Sequence, residues 1–176
     1  MADFIPMDEY RKRRPTRMKR YDALFKILSK ITRDWVFGWR LRNKLYRFMG
    51  VQLAKDDSEI YISRETWIDD NFPELVTIDE GVTIGWRCII FVHNTQRVPH
   101  IVGPVHIKKK VLLGHSATVM PGVTIGEYSQ VGCNALVTRD VEPYTVVAGI
   151  PAKPVRKLTP EEIDMRNEKA ASKPIP

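Results

Sequence analysis

Aliphatic side chains recur at every sixth position through the second half of the chain. The run consists of Ile107, Leu113, Val119, Ile125, Val131 and Val137. A small or β-branched residue lies four positions after each of them, and the same frame runs upstream from Ile78 through Ile84 to Ile90, with a weaker start at residues 60–62. A period of six fits neither an α-helix nor an alternating strand that ends in a hairpin. It predicts short strands and turns that coil, so that equivalent residues stack and the aliphatic ones point into a narrow prism.

The first 50 residues follow a different pattern. A polar start to about Pro15 is expected to be mobile, and a helical stretch follows it from Thr16 to Met49. One apolar face has helical spacing and consists of Leu24, Leu28, Ile31 and Trp35. A second face follows an expected kink at Gly38 and consists of Leu41, Leu45 and Phe48. We expect these faces to pack on the main domain or on a neighbouring subunit. The alternative is peripheral contact with a membrane surface.

The positive charge of the chain is concentrated in that segment. The formal net charge is +7, but residues 1–50 carry 14 Lys and Arg against 5 Asp and Glu, a net +9. Residues 51–176 carry 14 and 16, a net −2. No helix-turn-helix, finger or RNA-stacking signature accompanies the charge, so nucleic acid is not the expected partner. If the basic segment has a function, the interpretation we favour is attachment to an anionic membrane surface.

Composition indicates what class of protein this is and in which cellular compartment it is expected. Hydrophobic residues make up 43% of the 176 residues, enough for one sizeable core. No apolar run approaches 18 residues and the basic start lacks a signal-peptide core, so we expect a cytoplasmic protein, with the inner membrane face as the alternative location. Cys88 and Cys133 lie 45 residues apart without metal-ligand spacing, which indicates reduced thiols and no metal.

Residues 111–158 carry the most specific motifs. They include the run Pro121-Gly122-Val123-Thr124-Ile125-Gly126 and the closing Ala148-Gly149-Ile150-Pro151-Ala152-Lys153. This segment resembles the hexapeptide-repeat acyltransferases, in the branch of galactoside, maltose and serine acetyltransferases. The resemblance covers about residues 40–158, and it is weak before residue 76. It implies a left-handed parallel β-helix at 51–158, a homotrimer with active sites between subunits, and acetyl-CoA as acyl donor.

The six-residue frame is interrupted at residues 91–106, an excursion that holds three of the four histidines. His93 directly follows a strand-like apolar run, so it should lie at the fixed end of a strand. The resemblance implies that a histidine at this point is the catalytic base. Acyl transfer to a hydroxyl needs a neutral imidazole to take the proton and a donor for the oxyanion. The alternatives are His100 as base and a structural role for His93. The sequence does not identify the partner that orients His93.

The resemblance also implies where coenzyme A binds. Cys133 and Thr138 match positions that line the pantetheine channel, and Lys153 and Arg156 match a basic pair that binds the phosphates. His115 lies in the turn at the thioester end, where relatives carry a small residue, and it is either a donor to the oxyanion or cofactor, or a stacked turn residue. Residues 91–106 and 67–72 are expected to shape the acceptor pocket.

We therefore predict an acetyl-CoA-dependent O-acetyltransferase acting on a sugar or glycan hydroxyl, with three segments: a basic amphipathic helical arm at 1–50, the β-helix at 51–158, and a C-terminal helix and tail at 159–176. Thr159-Pro160-Glu161-Glu162 predicts the start of that helix. An amine acceptor or a longer acyl group is an open alternative. So is a non-catalytic assembly protein, or a γ-type carbonic anhydrase. Zinc would require a second histidine five residues after His115, where Met120 stands.

Overall fold

The body of the protein consists of three parallel sheets around one shared interior. The structure is a computed structural model, and it describes residues 4–35, 38–96 and 98–171. The chain places one strand on each sheet in turn and then returns to the first, so that each strand lies beside its counterpart from the previous turn. This arrangement is a three-sided parallel β-helix, and it confirms the coiled architecture expected from the six-residue period.

The three sheets, called here the first, second and third faces, consist of very short strands. The first face contains β2 (Gln52–Leu53), β5 (Val76–Ile78), β10 (Val105–Ile107) and β13 (Thr124–Ile125). The second contains β3 (Tyr61–Ile62), β6 (Thr83–Ile84), β11 (Leu112–Leu113), β14 (Gln130–Val131), β16 (Thr145–Ala148) and β17 (Lys153–Lys157). The third contains β4 (Trp67–Ile68), β7 (Ile89–Ile90), β12 (Thr118–Val119) and β15 (Leu136–Val137).

The aliphatic residues of the period form the columns of the core. On each face they are paired in register, as Ile84 with Leu113 and Leu113 with Val131. All of them from Ile78 to Val137 are at most 1% exposed. Fully burying one such side chain is worth about 1.5–3 kcal/mol, so the repeated columns account for the stability of a body with almost no long strands.

The corner between the second and third faces repeats one backbone conformation in every turn. Glu65, Arg87, Ser116 and Asn134 occupy equivalent positions and have φ between 56° and 60°. Glycine precedes the corner where the turns lie closest: a Cβ at Gly114 would stand 2.6 Å from the backbone nitrogen of Cys133. The glycine therefore permits close stacking of neighbouring turns.

Two helices, α3 (Asp22–Asp34) and α4 (Trp39–Met49), cover the first turn of the β-helix. Neighbouring turns are joined by backbone hydrogen bonds, as Tyr61 N donates to Val82 O at 2.9 Å and Arg87 N donates to Arg64 O at 3.3 Å. The first turn has the rest of the β-helix on one side only, so the carbonyls on its open side need other donors. Side chains of α4 supply them: Asn43 Nδ2 donates to Ile60 O at 2.8 Å, Tyr46 Oη to Thr66 O at 2.9 Å, and Arg42 Nη1 to Ile62 O.

This end cap reverses the predicted orientation of the two helices. On α4 the buried residues are Arg42, Asn43, Tyr46 and Met49, whereas Leu41 and Phe48 are exposed. On α3 the buried residues are Phe25, Ser29 and Thr32, whereas Leu24, Ile31 and Trp35 are exposed. Leu28 and Leu45 of the predicted faces are half-buried, and Leu28 packs against the core. The expectation was packing on the main domain or on a neighbouring subunit. Most of both faces does not pack on the main domain of the same chain, because side chains of α4 bind carbonyls at the end of the β-helix.

The start of the chain is ordered rather than mobile. Strand β1 (Ile5–Pro6) pairs antiparallel with β9 (Ile101–Val102), which pairs with β8 (His93–Asn94). Helices α1 (Met7–Arg13) and α2 (Thr16–Arg20) follow. For residues 4–15 the expectation of a mobile start was therefore wrong, since they pack on the excursion and on the segment of Phe72 and Glu74; residues 1–3 lie outside the described residues.

The chain ends in a hairpin and a helix. β17 runs antiparallel to β16, and α5 (Pro160–Ala171) follows. Thr159 Oγ1 accepts from Glu162 N at 3.3 Å, and Glu162 Oε2 accepts from Thr159 N at 2.9 Å, which is a capping box. Across the described ranges, every helix is too short or too polar to cross a bilayer.

Candidate active site

His93 is held by a carboxylate from an earlier turn of the β-helix. The residue opens β8, immediately beyond the third face, and its Nδ1 atom binds Oδ2 of Asp69. Asp69 follows β4 and has no solvent exposure. Because an ionised carboxylate only accepts hydrogen bonds, Nδ1 carries the proton and Nε2 is left as the basic atom. The pair therefore has the arrangement of an oriented general base.

The carboxylate of Asp69 is itself fixed by backbone groups. Val92 N donates to Oδ2 at 3.1 Å, and Asn71 N donates to Oδ1 at 3.1 Å. Each oxygen thus accepts from a backbone N–H group, and Oδ2 also accepts from the ring. This hydrogen bonding holds the carboxylate in one orientation and, through it, the plane of the His93 ring.

The electrostatics of the site favour protonation of His93 relative to a free histidine. The hydrogen bond to Asp69 raises the pKa of His93 and outweighs the opposing effect of burial. Nearby Arg11 lowers the pKa by charge repulsion. The ring is enclosed edge-on by Phe72, with centroids 6.1 Å apart, and by Phe91 at 6.4 Å. The side chain of His93 nevertheless remains 19% exposed, so an acceptor can reach it.

The N-terminal helix lines one side of this site. A groove of about 480 Å³ is bounded by Met7, Asp8, Arg11, Val98 and His100. Arg11 lies over the ring of Phe72, 5.9 Å from its centroid, and Phe72 in turn contacts His93. Phe72 therefore stands between His93 and Arg11 of the groove, and the charge of Arg11 still acts on the pKa of His93. Sequence reasoning placed no N-terminal residue here, because only the β1–β9 pairing brings residues 5–11 to the excursion.

The other histidines of the excursion occupy different environments. His100 is exposed in the groove and its backbone oxygen accepts from Met7 N at 2.8 Å. His106 lies on β10, where Nε2 is 3.0 Å from both carboxylate oxygens of Asp79. Only His93 combines a buried carboxylate partner with a second ring nitrogen directed away from it, among the histidines of the described residues.

His115 and Cys133 lie together at the corner between the second and third faces. Trp86 N donates to His115 Nδ1 at 2.9 Å, so the proton of the neutral ring is on Nε2, which can act as a donor. Asn134 N donates to His115 O at 2.9 Å, which stacks the Cys133 turn on the His115 turn. Cys133 is an exposed free thiol, whereas Cys88 is buried and its pKa is raised by burial to about 11.

Thr138 is separated from these two residues. It follows β15 and lies at the opposite edge of the third face, the edge that also holds Asp69 and the start of the excursion. The five residues from His115 to Met120 limit the width of this face to about 17 Å. Within one chain, the predicted site residues are therefore divided between the two edges of the third face.

The predicted phosphate-binding pair lies on β17. Lys153 and Arg156 are both exposed. Arg156 donates through both terminal nitrogens to the carboxylate of Glu162, at 2.7 Å each, which holds the pKa of Glu162 below its usual range. Ala152 N donates to Leu136 O at 2.7 Å, so this segment stacks on the turn that begins at Cys133.

Comparison with known proteins identifies the family. Residues 104–139 match the model described as bacterial transferase hexapeptide (six repeats). The Bacillus subtilis protein YvoF is 30% identical over 132 residues, which cover 74% of this chain and 74% of YvoF. The chain belongs to the hexapeptide-repeat acyltransferase family. The alignments with the first three curated relatives are shorter and span between 26% and 30% of those proteins.

Solved structures of hexapeptide-repeat acetyltransferases share the fold. One from Vibrio cholerae O1, complexed with acetyl coenzyme A, has a TM-score of 0.65 at 21% identity, and the match covers 82% of this chain and 90% of that one. Galactoside acetyltransferase in complex with coenzyme A has a TM-score of 0.58 at 22% identity, with 85% and 86% covered. These matches extend over most of the chain. Because the sequence identities are only 21% and 22%, they establish the fold alone.

Proposed function

We propose that this protein transfers an acetyl group from acetyl-CoA to a hydroxyl group of a sugar or glycan, with His93 as the general base. The observation that carries the proposal is the Asp69–His93 pair, which leaves Nε2 of His93 basic at a half-buried position. Phe72 connects this position to Arg11 of the groove. Family membership and the acetyl coenzyme A bound to the Vibrio cholerae structure support the donor. The activity named for galactoside acetyltransferase supports a sugar acceptor.

The chemistry assigned to His93 is to carry one proton from the acceptor hydroxyl to the leaving sulfur. Nε2 takes the proton of the acceptor hydroxyl as its oxygen bonds to the thioester carbonyl carbon. The tetrahedral oxyanion requires a donor, and Nε2–H of His115 is the side-chain donor we assign. The carbon–sulfur bond then breaks, and the sulfur of coenzyme A leaves with the proton returned by His93. The products are the acetyl ester and free coenzyme A.

We propose that the β-helix is left-handed and that the complete site lies between two subunits of a homotrimer. The division of the predicted residues between the two edges of the third face supports this, since His93 lies at one edge and His115 with Cys133 at the other. One subunit would supply the base and its acceptor groove. The neighbouring subunit would supply the corner of His115 and Cys133, together with Lys153 and Arg156 for the phosphates of coenzyme A.

The acceptor groove has side chains suited to a polyhydroxylated ligand. Asp8 and Arg11 offer a charged acceptor and a charged donor one helical turn apart, and Met7 supplies an apolar wall. Charged hydrogen bonds of this kind hold sugar hydroxyls in a fixed orientation. We assign this groove to the sugar and expect it to present one hydroxyl to Nε2 of His93.

A direct test is the release of free thiol from acetyl-CoA over a panel of sugars, glycans and amines, with the product analysed by mass spectrometry. We expect a mass gain of one acetyl group on a sugar hydroxyl. His93→Ala should abolish this transfer while coenzyme A binding and the circular dichroism spectrum stay unchanged. Substantial activity in that variant would refute the assignment of the base, and transfer only to amines would refute the hydroxyl acceptor.

A further inference from the structure

The helices α3 and α4 carry their apolar residues on the outside of the molecule. Along α3 the exposed apolar residues have a spacing of three and four residues, and along α4 they continue the same pattern. The set, called here the outer face, consists of Leu24, Ile27, Ile31, Trp35, Leu41 and Phe48, with exposures between 40% and 72%. Single apolar residues are common on protein surfaces, but six large ones on two adjacent helices form a patch that indicates an interaction site.

The inward side of the same pair cannot turn over to bury these residues. Arg42, Asn43 and Tyr46 are bonded to the carbonyls of the first turn, and Arg42 is 1% exposed. Rotating α4 would leave those carbonyls without donors, at a cost comparable to several lost hydrogen bonds. Phe25 of α3 packs edge-on against Phe48 of α4, with centroids 6.2 Å apart, so α3 is packed against the helix that these hydrogen bonds hold. The outer face is therefore a fixed surface.

Positive charge surrounds the outer face. Lys26 and Lys30 are exposed on α3, and Arg40 and Lys44 are exposed on α4. The two carboxylates of α3 are already engaged: Asp22 binds Arg14 at 2.6 Å and Asp34 binds Arg33 at 2.7 Å. Residues 1–50 together have a net charge of +9, against −2 for the remainder of the chain. The surface around the apolar residues is therefore attracted to anions.

We propose that the outer face binds the surface of a membrane that contains anionic lipids. Apolar side chains beside lysines match the boundary between acyl chains and negatively charged headgroups. Tryptophan at position 35, 72% exposed, has the side chain most favoured at that depth. Self-association of the outer face is disfavoured, because two copies would bring the same lysines together. The protein would lie on the membrane, with α3 and α4 in the interface and the β-helix standing away from it.

The test measures co-sedimentation of the full-length protein with vesicles of equal parts phosphatidylglycerol and phosphatidylcholine, and with vesicles of phosphatidylcholine alone. We expect binding to the first and at least about 25-fold weaker binding to the second, since each basic residue near an anionic surface contributes about fivefold. Lys26→Glu with Lys44→Glu should weaken binding to the anionic vesicles by at least about 25-fold. Lys55→Glu with Lys108→Glu, on the β-helix, is the matched charge control and should change binding little.

The apolar contribution is tested separately. Ile27→Ser with Trp35→Ser should weaken vesicle binding by about tenfold or more, whereas Met165→Ser, a residue of similar exposure on α5, should not. Transfer from acetyl-CoA to a soluble sugar should be unchanged in all of these variants, which separates this inference from the proposed activity. Equal vesicle binding of wild type and both outer-face variants would overturn it. So would a smaller oligomer of the Ile27→Ser, Trp35→Ser variant in light scattering, which would assign the outer face to a subunit interface.

Discussion

Asp69 binds the Nδ1 side of His93 across 24 residues of sequence, and its own two oxygens are each held by a backbone N–H group. The proposed role of His93 depends on this contact, because it determines which ring nitrogen is basic and where it points. The same contact makes the pH dependence of the reaction predictable.

Replacing Asp69 with asparagine should lower the rate and shift its pH profile. Each carboxylate oxygen of Asp69 accepts a hydrogen bond from a backbone N–H group. In asparagine one of the two oxygens becomes an NH₂ group, which is a donor and would face one of these N–H groups. The amide would therefore shift and displace the His93 ring. We expect kcat to fall by about 10²- to 10⁴-fold. Asp69 raises the pKa of His93, and the base works only when neutral, so activity in the wild type rises as the pH passes through a raised pKa. In Asp69→Asn this rise should move to lower pH.

Asp70→Asn is the control for charge alone. Asp70 also raises the pKa of His93, but from its charge and without a bond to the ring. Its variant should move the pH profile in the same direction with kcat nearly retained. A full loss of kcat in Asp70→Asn, or full retention in Asp69→Asn, would contradict a positioning role for Asp69.

Arg11→Ala should affect the acceptor rather than the donor. If the groove holds the sugar, loss of one charged hydrogen bond should raise KM for the acceptor by about 10- to 100-fold, while KM for acetyl-CoA stays unchanged. The pKa of His93 should rise further, because Arg11 lowers it in the wild type. Arg13→Ala, on the same helix and bonded to Glu9, is the matched control. An equal rise of the acceptor KM in both variants would show that Arg11 does not bind the acceptor.

Glu162→Gln should strengthen the binding of coenzyme A. Glu162 occupies both terminal nitrogens of Arg156, so it competes with a phosphate for the same donors. Calorimetry should give a lower Kd for Glu162→Gln and a higher one for Lys153→Ala with Arg156→Ala, with a reduced dependence on salt. Lys55→Ala serves as the control. Unchanged affinity in the double variant would show that the phosphates bind elsewhere.

Mixed oligomers test the sharing of the site between subunits. His93→Ala lacks the base, and Lys153→Ala with Arg156→Ala lacks the phosphate contacts, so at acetyl-CoA concentrations well below KM neither homo-oligomer should turn over at a useful rate. Co-expression should restore activity, since some sites then pair an intact base with an intact donor-binding edge. If activity in the mixture equals the average of the two parents, both edges act within one chain.

Gly114→Ala should destabilise the β-helix. The added methyl would meet the backbone nitrogen of Cys133 at 2.6 Å, and neighbouring turns would have to separate. We expect a loss of about 1–3 kcal/mol in the free energy of unfolding. Gly38→Ala is the control, since a Cβ there has no neighbour within 4 Å. Equal denaturant midpoints for the two variants would argue against this packing.

His93 could be singled out from the sequence, since it follows a strand-like apolar run near the start of the interruption and matches the position of the base in the family that the sequence resembles. Its partner could not. Asp69 stands within residues 67–72, a segment expected to shape the acceptor pocket, but nothing in the sequence distinguishes it from Asp70 beside it. Only the stacking of the turn that contains β4 beneath the turn that contains β7 makes one of these carboxylates reach the ring. Arg11 was missed for a similar reason, because its position depends on the pairing of β1 with β9.

The amphipathic helices show how local periodicity can mislead. The spacing of Leu24, Ile31 and Trp35 correctly indicates a helix, but it does not say which side is buried. That side is decided by the first turn of the β-helix, whose carbonyls require the donors of Arg42, Asn43 and Tyr46.

The architecture of the β-helix could be predicted from the six-residue period alone. The period is local and repeats in every turn, and each repeat buries an aliphatic side chain. Tertiary structure alone decided which carboxylate orients His93, which end of the chain lines the groove, and which face of the helices is left outside. Each of these contacts joins residues that are far apart in the chain. They form because the folded β-helix leaves polar groups without partners, and only residues brought near in space can pair with them.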